Sequence, residues 1–446
     1  MVTGADGYWS PRQIRIIKQR LSNLGSGVNY ACYVGHNGIR SEVMKDDQRR
    51  EPTQVELQEM VRQTGEGMEE GCVGLSTGLM YHPGSFSTTE EVIALAKEVS
   101  KYGGTYDSHV RDPAKNLIDS DREVIRIAAN AGIPAKIAHL KAVGRENEGA
   151  LAEVIGLVQA ARAGGLDIVS DQYPYDGAGG LTNLGELVLF PGIQKLYQTG
   201  DTALIMQAVK DALADTSQRG DLKHWSENGV DGSFSWLGSL GYGAYRIQYA
   251  DDYPEIVGRN FERLAEEHGI DPFDLLAKLL LDSDQPIWLT GSINEYDLQT
   301  LMQQPWNMIA SDGFYVPAEG ADVGIHPRGT GTFPRFLGHY IRDLGLLSLE
   351  QAIHKITAFP ADHLGFPDRG KIDVGMVADI TVFDQDTIID RSTWLEPTLF
   401  SEGVHFVIVN GQMAVEDSEV TNITAGAFVF RDNCNTRPDE CSPSRP

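Results

Sequence analysis

Between residues 28 and 174 the chain alternates two textures: short apolar runs rich in β-branched and aromatic residues, and longer segments whose apolar positions recur at helical spacing. A short run with no polar face is what a strand buried on both sides requires, and a helical stripe is what covers such a sheet, so the alternation predicts βα units around a parallel sheet. The strand-like runs are "VNYACYVGH" (28–36), "CVGLSTGLM" (72–80), "TYDSHV" (105–110), "IPAKIAHL" (133–140) and "LDIVSDQYPY" (166–175). Between them, 53–71 carries Val55, Leu57, Met60, Val61 and Met68 at helical spacing behind Thr53, a residue suited to cap a helix N-terminus. "TTEEVIALAKEVSKYGG", "SDREVIRIAANAG" and "GALAEVIGLVQAARAGG" repeat that texture, each with a glycine stop.

The spacing breaks after Gly177, and no simple unit returns until "WNMIASDGF" (306–314), so about 177–305 is expected to be an insertion lying over a site. After a strong helical segment at 344–366, the texture changes to short strands and turns, including the hairpin signal "VNGQ". We expect one large unit at 1–366, a small β module at 367–430 and a disordered tail at 431–446.

Composition narrows the function. With 37 basic and 63 acidic residues the formal net charge is −26, a surface that repels nucleic acid and anionic lipid. No run approaches the ~18 apolar residues of a membrane span, and "MVTGADGYWSPRQ" lacks the basic and apolar regions of a secretory signal, so a cytoplasmic, small-molecule role is expected. Cys32 and Cys72 sit in apolar runs and read as small core residues. Cys434 and Cys441 read as exposed thiols in the tail, with their pairing left open.

The candidate chemistry sits at strand ends. His109 and His139 close successive β-like runs thirty positions apart (139 − 109 = 30), and "MIASDG" brings Asp312 to a third strand end. In a parallel barrel all such ends meet at one mouth, where two imidazoles and a carboxylate suit Zn²⁺ with a position left for water. Lys141, two residues after His139, shares its face. A single histidine at a strand end is more often a hydrogen-bonded structural residue, and spacing this long is no local motif.

Ordered blocks add to this reading: "GLSTGLMYHPGSF" (74–86), "YDSHVRD" (106–112), "IAHLKAVG" (137–144), "DQYPY" (171–175), "ASDGF" (310–314), "HPRGTGTFPRFLGHYIRD" (326–343), "DRGKIDVGMVADITVFD" (368–384) and "VIVNGQ" (407–412). Together they resemble the N-acyl-D-amino-acid deacylases, or D-aminoacylases, of the amidohydrolase superfamily. The resemblance implies a (β/α)₈ TIM-like barrel with a small β-sandwich, and zinc-dependent hydrolysis of N-acyl-D-amino acids. It implies His109, His139 and Asp312 as metal ligands, Asp312 also as acid/base, and Tyr81 as a donor to the developing oxyanion. Lys141, Tyr173 and Arg328 match positions that hold the substrate carboxylate, while His36 and His326 are read as shaping the mouth.

The family begins its barrel with a His-x-His strand and a second strand bearing a cysteine ligand. No His-x-His occurs in this sequence, and the six strands counted begin at 28–36, so a barrel lacking its first two strands with a remnant of the sandwich is expected. "DGAGG" also replaces the family's Ser/Thr-rich continuation after "DQYPY". The competing reading is a non-catalytic binding protein or degenerate paralogue that keeps the fold to bind a partner or an acyl amino acid. A hydantoinase or dihydroorotase is a third, disfavoured because "GLSTGLMY" has no lysine to be carboxylated.

Overall fold

The computed structural model describes residues 1–197, 201–230, 235–313 and 325–431. The expected tail, with Cys434 and Cys441, lies outside these apart from Arg431, as does Phe314. Six parallel strands follow one another side by side in chain order: β1 (Val2–Thr3), β2 (Ala31–Gly35), β3 (Gly74–Gly78), β4 (Thr105–His109), β5 (Ala135–Ile137) and β6 (Ile168–Gln172). The chain then builds β7 (Gly177–Asn183), β8 (Tyr245–Ala250) and β9 (Ile287–Ser292) into a separate antiparallel sheet ordered β7-β9-β8. It returns as β10 (Asn307–Ile309), parallel to β6. Among the described residues the parallel sheet therefore has seven strands, with no pairing between β10 and β1.

Every residue of β2, β3, β4 and β6 is buried, as strands covered on both faces require, although β3, β4 and β6 also carry buried polar residues such as Ser76, Asp107 and Asp171. The covering helices form where the periodicity places them. Thr53 caps Gln54–Glu69 in a reciprocal capping box with Glu56. Leu117–Ala131 stops at Gly132, whose φ of 63° closes the helix as an L side chain rarely would. One core runs between strands and helices, through residues such as Val34, Leu75, Leu95, Ile127 and Val154.

Three features differ from expectation. Val2–Thr3 forms a strand, paired through Val2 with Ala31 and Thr3 with Cys32, so the sheet holds one strand more than the six counted. Two residues are too few to carry a period, which is why the pattern hides them. Cys32 and Cys72 are buried as expected, yet they are joined in a disulfide with Cα atoms 4.9 Å apart. The parallel pairing of β2 with β3 brings together positions 40 apart in sequence, and no local pattern reports that. The interval after Gly177, which showed no simple unit in sequence, has its own core, including Leu187, Val209, Leu213, Phe261, Phe273 and Leu289.

The C-terminal segment forms a four-stranded antiparallel sheet, β11 (Ile380–Phe383), β12 (Val404–Val409), β13 (Gln412–Glu416) and β14 (Glu419–Val420). Beyond it the chain returns to the parallel sheet, where Tyr30 donates to the Ala427 carbonyl at 3.0 Å and Val429 to the Tyr30 carbonyl at 2.8 Å. No helix among the described residues is long and apolar enough to cross a membrane.

One helix buries a liability. Asp121 is fully enclosed, and neither of its carboxylate oxygens has a hydrogen-bond partner among the described residues. Burial pushes its carboxyl up to about 8, against a weaker pull from Lys141. The folded chain thus keeps a proton that the unfolded chain releases near pH ~4, and stability falls as pH rises from there to about 8, by up to about 1.4 kcal/mol per pH unit. Asp121→Asn is expected to raise the melting temperature, with a gain that grows from pH 4 to pH 8. A gain independent of pH in parallel thermal melts would refute this account.

Candidate metal centre

The strands run the same way, so their C-terminal ends share one rim. His109 closes β4, His139 lies two residues past β5, and Asp312 three past β10. A fourth group joins them. Asp6, three residues past β1, places Oδ1 3.5 Å from His109 Nδ1 and 3.7 Å from His139 Nε2. His139 Nε2 is also 3.9 Å from Asp312 Oδ2. Groups carried by the first and last strands of the sheet meet over its middle strands, so the open sheet must curl into most of a barrel.

These separations are long for direct hydrogen bonds. Donors about 2.0–2.2 Å from one tetrahedral ion stand roughly 3.3–3.6 Å apart, close to what is observed. One atom each from Asp6, His109 and His139 lies within 4.8 Å of the others, the only such grouping among the described residues. Asp6 Oδ1 and both His109 nitrogens are buried without hydrogen-bond partners. Buried polar atoms are nearly always paired, so this cluster fits the donor set of a divalent cation. Burial, aided by His139, pushes the His109 imidazole down to about 4, so at pH 7 it is neutral, the form that ligates. Burial acts to raise the Asp6 carboxyl, but His109 and His139 outweigh it and leave Asp6 well below the usual range, hence anionic.

The backbone around these groups is strained. Asp6, His139 and Asp312 have φ of 59°, 36° and 46°, three of the seven positive-φ non-glycine residues described. Such conformations persist where surroundings enforce them, often at functional sites. For His139 the enforcing contact is visible: its N–H donates to Asp171 Oδ1 at 2.5 Å. The other Asp171 oxygen pairs with Lys136, whose Nζ is also 3.1 Å from Asp107 Oδ1. Burial alone would discharge Lys136, but the two carboxylates outweigh it and hold the ammonium well above its usual range.

The remaining candidates surround the same rim. The Tyr81 ring lies 4.6 Å from that of His109, and burial, followed by the charges of Asp6 and Asp312, pushes its phenol well above the usual range. Lys141 Nζ sits 2.7 Å from His139 Nδ1 and 2.8 Å from the His139 carbonyl. Arg328 NH1 is 2.7 Å from Asp312, its guanidinium lies 4.4 Å over the Tyr173 ring, and its buried Nε has no hydrogen-bond partner. His326 steers Arg328: its Nε2 donates to the Gly177 carbonyl at 2.9 Å, leaving Nδ1 to accept the Arg328 N–H at 3.1 Å. His36 is instead buried beside Glu91 at 2.8 Å and is no part of the centre. His224, His268 and His354 lie on helices outside it.

Thus His109, His139, Asp312, Tyr81, Lys141, Tyr173 and Arg328 come together at one rim. Asp6 and Asp171 were missed. Neither position betrays its partners without the sheet.

Comparison with known proteins identifies the family of the chain. A family model described as "Amidohydrolase family" matches residues 245–415. A D-aminoacylase of Alcaligenes xylosoxydans xylosoxydans is 32% identical over 410 residues, spanning 91% of this chain and 71% of that protein. The chain belongs to the D-aminoacylase branch of the amidohydrolases. A crystal structure of D-aminoacylase, described as defining a novel subset of amidohydrolases, superposes with a TM-score of 0.68 at 31% identity, over 94% of this chain and 75% of that one. The N-acyl-D-glutamate deacylase of Bordetella bronchiseptica, solved with zinc and a phosphonate mimic of the tetrahedral intermediate, gives a TM-score of 0.68 at 26% identity, over 96% and 82%.

In this amidohydrolase, Asp171 is expected to hold His139 in its ligating pose. Asp171→Asn should weaken divalent-metal binding by roughly 10–100-fold in a chelator-competition titration, while far-UV circular dichroism stays unchanged. Equal metal affinity in the two proteins would show that the contact does no such work.

Proposed function

We propose that the chain is a zinc-dependent deacylase that hydrolyses the linear amide of N-acyl-D-amino acids to a carboxylate and a free D-amino acid. One observation carries the reading: two imidazoles and two carboxylates from four separate strand ends converge beside two cations. Family membership supports the chemistry, and the zinc-bound deacylase relative supports the choice of metal. His109, His139 and Asp312 would hold the ion, as proposed from sequence, with Asp6 beside them. A bound divalent cation supplies an activated water with a pKa of about 7 and polarises the amide carbonyl.

The protein's own groups do the rest. Asp312 accepts the proton of the attacking water at a carboxylate oxygen and returns it to the departing amine nitrogen. Tyr81 keeps its phenolic proton and donates it as a hydrogen bond to the oxygen that gains charge. Arg328, through its unpartnered Nε, and Lys141 face the substrate α-carboxylate, with the Tyr173 hydroxyl beside them. An imidazole that ligates through Nε2 carries its proton on Nδ1, where the Lys141 ammonium can no longer donate. Lys141 is thereby released toward the carboxylate.

The parallel sheet is read as an amidohydrolase barrel without its full set of strands, and β11–β14 as part of the small β-sandwich. The competing reading, a scaffold that binds without cleaving, is disfavoured by the two imidazoles, two carboxylates and two cations that remain gathered at the rim.

The test is release of free D-amino acid from N-acetyl-D-methionine and N-acetyl-D-glutamate, with the L-enantiomers and a cyclic ureide as controls. Activity should vanish on chelation and return with zinc. Asp312→Asn should lower kcat by roughly 10²–10⁴-fold, and Arg328→Met should act mainly by raising KM. No turnover of any N-acyl-D-amino acid by zinc-loaded protein would refute the assignment.

A further inference from the structure

The first ten residues are held in an unusual way. Their strand offers only two paired positions, and the turn that follows runs across the rim, not away from it. Two glycines make room for it. A Cβ on Gly35 would come within 2.3 Å of the Gly7 carbonyl oxygen, and one on Gly78 within 2.4 Å of the Asp6 carbonyl oxygen. The Gly35 N–H donates to the Trp9 carbonyl at 2.8 Å, and Ser10 caps the helix Pro11–Leu24 with its side chain 2.5 Å from Glu42. The seat is therefore built to receive this backbone, and what it delivers is one anionic carboxylate, in left-handed conformation, aimed between two buried imidazoles.

That delivery is costly without a cation. Ordering the turn costs conformational entropy, and taking a carboxylate out of water costs more. A dication shared by Asp6, His109 and His139 supplies the missing partner and satisfies the orphaned atoms together. The donors are nitrogen and oxygen only, because Cys32 and Cys72 are tied in a disulfide within the sheet.

Resting on the metal-dependent reading, we infer that Asp6 is a protein ligand of the divalent cation and that docking of residues 1–10 is linked to metal occupancy. By linkage, the ion that binds only the docked arrangement stabilises it, and the docked turn tightens the ion by the same factor. Asp6 thus fills a coordination position that the family pattern, applied to this sequence, left empty.

The test uses the full chain, stripped with chelator and titrated with Zn²⁺ alone, without substrate. Asp6→Asn and Asp6→Ala should weaken zinc binding by roughly 100-fold, against unchanged circular dichroism. In the unsubstituted chain, zinc should slow amide hydrogen exchange over residues 4–9, and in Asp6→Asn it should not. Equal zinc affinity in the Asp6 variants overturns the ligand assignment, and unchanged exchange in the unsubstituted chain overturns the linkage. The outcomes separate from those of the deacylase assay. Asp6-dependent zinc binding without turnover sinks the hydrolase and spares this inference, whereas turnover with Asp6-independent zinc binding does the reverse.

Discussion

The centre depends on one electrostatic constraint: charged and ligating groups from distant strands must share a small buried rim without a net excess of either sign. Asp6 and Asp312 face Lys141 and Arg328 around two imidazoles. The four charges offset one another. Removing water from such groups is expensive, and each must therefore keep a partner of opposite sign or a ligand. Parallel strands make the arrangement possible, because every strand delivers its last residues to the same end.

Beneath the rim a second set of charges turns this balance into geometry. Lys136 joins Asp107 to Asp171, and Asp171 in turn fixes the His139 backbone in a conformation a histidine seldom adopts. The arrangement resembles a ligand's supporting hydrogen bonds in metal sites generally, except that the support reaches the main chain and leaves both ring nitrogens free for other partners. One of those nitrogens meets Lys141, so the orientation of the His139 ring and the position of the Lys141 ammonium are coupled.

The separate lobe built from β7, β8 and β9 bears on the rim at specific points. Gly144 donates to the Ser292 carbonyl at 2.9 Å, and Val143 bridges to Ile293, tying the segment after His139 to the lobe. At β7, the Gly177 carbonyl fixes the ring of His326 and through it the backbone of Arg328. The glycine-rich stretch that departs from the family pattern thus begins at a residue that orients a candidate substrate cation. The lobe's own core makes it a rigid support for these contacts.

What the sequence determined on its own were the properties that depend on neighbours along the chain. Alternating texture located the strands from β2 to β6, Thr53 marked a helix start, and residues at strand ends pointed to His109, His139 and Asp312. Motif blocks added Tyr81, Lys141, Tyr173 and Arg328. Tertiary structure alone decided what depends on contact across the sheet. It joined Cys32 to Cys72, paired Lys136 with two carboxylates, and turned an opening "GADG" into a strand end facing two histidines. The physical reason is separation: a two-residue strand carries no period, and a carboxylate's meaning is set by the groups that face it, which here lie more than one hundred positions away (109 − 6 = 103).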